Sequence, residues 1–160
     1  MMTMAPASYR ETLLLYYEEE IEGEAYFATL ATRFSDPDHR EKLRLLAKVE
    51  AHAAFGVEPL IEKYALVPRA ADTLIRKGVA EAQSETSDWA ALLSDMRRTY
   101  PVYTEQFRVL EAAAPAEDRP HLAFLTRHEV AALEFLALEE TRPEDSAKPL
   151  RAYLSDGPEV

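Results

Sequence analysis

Four short breaker-rich stretches divide this sequence, and between them it runs on in residues that favour helices. The stretches are FSDPDHRE (34–41), LVPRAAD (66–72), AAPAEDRP (113–120) and TRPEDSAKP (141–149). Only 4 glycines occur in 160 residues. Ala, Leu and Glu dominate, Val and Ile are sparse, and such a composition is helix-forming. No apolar–polar alternation marks a strand. The spacing predicts long helices over 8–34, 38–66, 88–113 and 116–140, with a small helix over 70–83 inside the middle connection. Asp36 or Ser35 can cap the second helix, Pro37 fits its first turn, and Asp38 complements its dipole. Pro101 predicts a kink in the third long helix. The tail, 147–160, adds a last turn through Leu150, Tyr153 and Leu154 or packs on a partner.

Short loops make the first two and the last two long helices antiparallel neighbours, and the middle connection crosses between the pairs. The expectation is one all-α domain over 1–160, its core about 8–140 and its tail 141–160. With no cysteine, disulfides and thiolate metal sites are excluded. The net charge of −11 argues against duplex nucleic acid or an anionic membrane as partner, since both reward a basic face. The start, MMTMAPASYRETLLLYYEEE, has no basic n-region and does not resemble a signal peptide. No apolar run approaches membrane-spanning length. A soluble cytoplasmic protein is expected. No phosphate loop or nucleophile elbow appears.

Acidic residues fall where the helices should be apolar. In 38–66, Leu43, Leu46, Ala53, Val57, Leu60 and Ile61 recur at three- and four-residue steps, and Glu50 lies in that stripe, seven residues from both Leu43 and Val57. In 8–34 the stripe reads Tyr17, Ile21, Phe27, Ala28, Ala31 and Phe34. Glu24 sits within it and Glu20 at its edge, while Glu11, Glu18 and Glu22 read as solvated. In 116–140 the stripe Leu122, Leu125, Ala132, Leu133 and Leu136 contains Glu129, and a second apolar line, Phe124, Ala131, Phe135 and Leu138, carries His128. Counted from the turns, Glu24, Glu50 and Glu129 reach the same depth of the bundle. Burying an unpaired carboxylate costs several kcal/mol or more, so a cation, protonation, Arg97 or tyrosine hydroxyls must offset it.

The stretches IEGEAYFATLA (21–31), LAKVEAHAAF (46–55) and RHEVAALEFLALE (127–139) resemble the ferritin-like superfamily, rubrerythrin-like proteins most nearly, and RRTYPVYTEQF (97–107) is weakly similar to the third helix of that family. The resemblance implies a ferritin-like antiparallel four-helix bundle. In the family, two Glu and two Glu-x-x-His motifs hold two iron or manganese ions. Carried over, Glu24, Glu50 and Glu129 match three Glu positions, but Ala53 and Ala132 stand where the histidines belong. On the third helix Arg98 or Asp95, Tyr103 or Glu105 lies near the ligand position. His52 and His128 sit two and one residues from their glutamates, outside the family's spacing.

The expectation is therefore a non-catalytic binding or interaction bundle, a homodimer, that has lost its di-iron site and needs no cofactor. The alternative is a metal-binding oxidoreductase or metal-handling protein, with Fe or Mn held by Glu24, Glu50 and Glu129. A third reading places a small-molecule ligand among Tyr17, Phe27, Tyr100 and Tyr103. His39 and His121 read as surface residues, and His128 as a core or interface histidine. His52 reads as lying under the crossover or in a subunit contact, and Trp89 as an anchor for the crossover.

Overall fold

A computed structural model describes residues 5–159. The reading of the extreme N-terminus falls partly on residues 1–4, outside the described residues. The helices are α1 (Ala7–Ala31), α2 (Pro37–Lys63), α3 (Ala71–Gln83), α4 (Trp89–Ala113), α5 (Arg119–Thr141) and α6 (Lys148–Leu154), with a 3-10 turn at Pro143–Asp145 before α6. Among the described residues there is no strand, and no helix is long and apolar enough to cross a membrane.

The boundaries follow local chemistry. The Asp36 carboxylate accepts from the Asp38 and His39 amides, and Pro37 and Asp38 fill the first turn of α2, so this N-terminus is capped as the sequence expects. Asp88 caps α4 by accepting from Ala91 N–H. Three boundaries move, α2 ending at Lys63 rather than 66. α1 ends at Ala31, three residues short of 34, and α5 begins at Arg119 rather than 116. Phe34 is freed to pack edge-on against Trp89, which stacks flat on His39, their ring centroids 4.1 Å apart. Trp89 thereby anchors the end of the crossover. α4 runs on through Pro101 and α2 through Pro59.

The long helices form two antiparallel hairpins. Tyr9 meets Tyr64, and Phe34 meets His39, across α1 and α2. Arg97 reaches Glu140, and Phe107 meets His128, across α4 and α5. The hairpins join along α2 and α5, again antiparallel, since Lys42 pairs with Glu139 and Lys63 with Asp118. The fourth side, α1 against α4, is held more loosely, by Phe34 on Trp89 and Tyr16 on Phe107. Fully buried Phe27, Phe124, Phe135, Leu13, Leu43 and Leu92 stand in the core between these helices.

α3 lies along α1 on Leu74, Gly78 and Ala82. A side chain at Gly78 would place a Cβ 2.2 Å from the Glu22 carbonyl oxygen, so the close approach of the two backbones requires glycine here. Arg33 closes the far end of α3 by donating to the Ala82 and Glu85 carbonyls. The tail returns across α2 and α5: Leu150 and Tyr153 are buried, and the Tyr153 hydroxyl donates to Phe124 O. His52 lies beneath this tail, its Nε2 donating to Asp156 O at 2.6 Å. The tail, rather than the crossover, covers it.

Candidate metal centre

Three helices bring four titratable side chains together in the core. α1 supplies Glu20, α2 supplies Glu50, and α5 supplies His128 and Glu129. His128 Nε2 lies 2.9 Å from Glu20 Oε2, 3.3 Å from Glu50 Oε2 and 3.2 Å from Glu129 Oε1. All four residues are buried. Glu20, His128 and Glu129 each offer one ligand atom within 4.8 Å of the others, and Glu50 stands beside them.

The tautomer of His128 decides what this arrangement needs. Its Nδ1 lies against the Leu125 carbonyl, which can only accept, so Nδ1 carries a hydrogen. Nε2 then carries either a lone pair or a second hydrogen. A lone pair aimed at three carboxylate oxygens is repulsive, so a proton or a cation belongs between them. Among the described residues His128 Nε2, Glu20 Oε2 and Glu129 Oε2 have no hydrogen-bond partner. His128 Nε2 and Glu20 Oε2 approach to 2.9 Å without the alignment that a hydrogen bond requires.

The electrostatics are unbalanced in the same direction. Burial alone would push the His128 imidazolium towards losing its proton, but the Glu129 and Glu50 carboxylates outweigh it and hold the ring's affinity for a proton well above the usual histidine range. Burial raises the Glu50 carboxyl, and His128 only partly offsets it. The buried Tyr100 hydroxyl is pushed up by burial and then by Glu50 and Glu129. Among the described residues no Lys or Arg pairs with Glu20, Glu50 or Glu129. Arg97, a candidate partner from the sequence, instead binds Glu140 and the Leu136 carbonyl.

Glu20, Glu50 and Glu129 form the floor of a cavity of about 530 Å³ on the loosely closed side between α1 and α4, which His128 does not itself line. Tyr26, Phe27, Met96, Tyr100 and Phe107 make its walls, and Glu19, Glu81, Glu85, Asp95 and Tyr103 also line it. Lys77 lines it too, with its ammonium tied to Glu22 at 3.1 Å.

Several sequence-derived assignments change place. Glu24 is exposed, and Glu20, one turn earlier, reaches the core instead. Glu18 and Glu22 are buried rather than solvated, because Arg69 and Lys77 reach them. Tyr17 does not line the cavity, whereas Phe27, Tyr100 and Tyr103 do. Glu50 and Glu129 face inward and converge as their periodicity predicts. His128, set aside for its spacing, is the centre of the group. The sequence carried one signal for it: it occupies an apolar line of α5, where a solvated histidine has no place. His121, expected at the surface, has its Nδ1 2.9 Å from the Gly56 carbonyl.

Asp36, Asp38 and His39 form another grouping at the start of α2. Asp36 there is occupied in capping and His39 in stacking on Trp89, and both aspartates are exposed. No family model, no curated protein and no solved structure matches this chain.

Proposed function

We propose that this protein is a ferritin-like bundle that holds one divalent transition-metal ion in its core, with Glu20, His128 and Glu129 as ligands and Glu50 as the adjacent carboxylate. The observation that carries the reading is His128 Nε2, buried, without a hydrogen-bond partner and facing three carboxylates at 2.9–3.3 Å. Ligand atoms about 2.1 Å from a shared ion and roughly at right angles about it lie about 3 Å apart, which is the spacing from His128 Nε2 to each carboxylate oxygen. One imidazole with carboxylates suits Mn²⁺ or Fe²⁺ better than a soft ion. The Leu125 carbonyl orients the imidazole from behind, as the outer partner of a metal-bound histidine does.

Two antiparallel hairpins joined by a long crossover support the ferritin-like frame. The donor set differs from the family's: the histidine precedes its glutamate by one residue instead of following by three. Such an ion supplies Lewis acidity and one-electron chemistry at the floor of a cavity, which favours a metal-handling or metal-dependent redox role over an inert bundle.

A second reading has a specific observation behind it. The raised Glu50 carboxyl suits a bundle whose acids share protons with His128 and bind no metal. Calorimetric titration of chelator-stripped protein with Mn²⁺, anaerobic Fe²⁺ and Mg²⁺ separates the two. The metal reading expects one Mn²⁺ or Fe²⁺ site per chain that His128→Ala abolishes. No heat supports the proton-sharing bundle instead, and heat that survives His128→Ala overturns the ligand set proposed here.

A further inference from the structure

The cavity above the cluster is larger than an ion needs. Its volume of about 530 Å³ lies within the ~300–1,000 Å³ of small-molecule sites. Its charge is one-sided. Glu81 and Asp95, partly or fully exposed, line it along with the buried floor acids; Asp95 also pairs with Arg98, which does not line the cavity, and Lys77 is already tied to Glu22. An anionic ligand would be repelled, and a neutral one would leave the carboxylates uncompensated. Glu129 gives a more pointed requirement. Its Oε1 faces His128, while its Oε2 has no partner although the residue is only 4% exposed. An unpaired buried carboxylate oxygen calls for a donor. Tyr26, Met96, Tyr100 and Phe107 give its walls aromatic and apolar surface, beside the polar Thr99 and Gln106. Such walls cover a methylene stem and favour cationic heads at their rings.

We infer that this cavity binds a linear aliphatic di- or polyamine, one ammonium donating to Glu129 at the floor and another to Glu81 and Asp95 nearer the mouth, with the methylenes against the aromatic walls. The inference goes beyond the metal centre and shares Glu129 with it, the Oε1 of that residue facing His128.

The test is calorimetry on the full chain, stripped with chelator, at physiological salt. The probes are 1,5-diaminopentane and spermidine, with 1,5-pentanediol as the uncharged control and Mg²⁺ as the control for charge alone. Saturable binding of one amine per chain is expected, with none of the diol. Glu81→Gln/Asp95→Asn, two exchanges at accessible positions, is expected to weaken it about tenfold or more. No saturable amine binding would overturn the inference. So would binding that Mg²⁺ matches in strength and that the double variant leaves unchanged. His128→Ala separates this site from the metal centre. Loss of Mn²⁺ binding with amine binding kept leaves both readings standing. Amine failure with Mn²⁺ binding intact removes this inference alone.

Discussion

Gly23 leaves room for the Glu50 carboxylate. A Cβ at position 23 would lie 3.0 Å from Glu50 Cδ and 3.2 Å from its Oε1, closer than an unstrained contact allows. The glycine of the EGE triplet in α1 thus serves a residue of α2. Gly23→Ala is expected to displace the Glu50 carboxylate by a few tenths of an ångström. Metal affinity should fall by about 10–100-fold, the usual cost of disturbing a supporting residue, while the bundle stays folded. Calorimetric affinity for Mn²⁺ beside a thermal melt checks both halves.

Lys42 is buried, 4% exposed, and its ammonium lies 2.6 Å from Glu139 and 2.7 Å from Asp38, while donating to the Pro143 carbonyl. It ties α2 to α5 and to the turn that begins the tail. Lys42→Met leaves the Glu139 carboxylate, itself 5% exposed, without its cation. The expected cost is about 3 kcal/mol or more. Lys42→Met/Glu139→Leu should recover most of that loss, because it removes the stranded charge. Urea unfolding of the single and double variants decides the point.

Asp118 joins three elements at the opposite end. It accepts from Tyr9 at 2.9 Å, Tyr64 at 2.6 Å and Lys63 at 2.6 Å. Burial raises its carboxyl, but Lys63, Tyr64 and Tyr9 together outweigh that and hold it below the usual aspartate range. A carboxylate held low in the folded chain binds fewer protons there than when unfolded. Its stabilisation is therefore complete above the ordinary aspartate value and is lost as the pH falls through the lowered one. Asp118→Asn should cost about 1.5–3 kcal/mol at pH 7. The gap to the wild type should close as the pH drops below about 4. Unfolding free energies from pH 7 to 2 for both proteins test it.

At Gly78 the clash partner is backbone, the Glu22 carbonyl, which cannot rotate away. Gly78→Ala should push α3 off α1 at a cost of about 1–3 kcal/mol. The gain in helix propensity recovers about 1 kcal/mol at most. Faster amide exchange confined to α3 and the facing side of α1 would be its signature.

The helices were largely legible because their punctuation is local: Asp36 with Pro37, and Asp88 at the head of α4. Glu50 and Glu129 were legible too, since α2 and α5 carry apolar lines that fix which way a residue seven positions along must point. α1 was harder. It packs against α2, α3 and α4, so its apolar residues do not gather on one side, and the choice between Glu20 and Glu24 turned on a phase the sequence does not mark. The burial of Glu18 and Glu22 depends on Arg69 and Lys77, roughly fifty residues away along the chain, which no local pattern reveals. His128 was lost for a different reason. Its one-residue offset from Glu129 lies outside the family's Glu-x-x-His spacing, since neighbouring positions on a helix point about 100° apart. Long glutamate side chains arriving from α1 and α2 close that angle from the other side.

The most direct test of the central claim is elemental analysis of protein purified without chelator, for the wild type, Glu20→Gln and Glu24→Gln. About one Mn or Fe per chain is expected in the wild type and in Glu24→Gln, and little or none in Glu20→Gln. Wild-type protein that retains no metal even after loading with Mn²⁺ and Fe²⁺, or metal that Glu20→Gln keeps and Glu24→Gln loses, would contradict it.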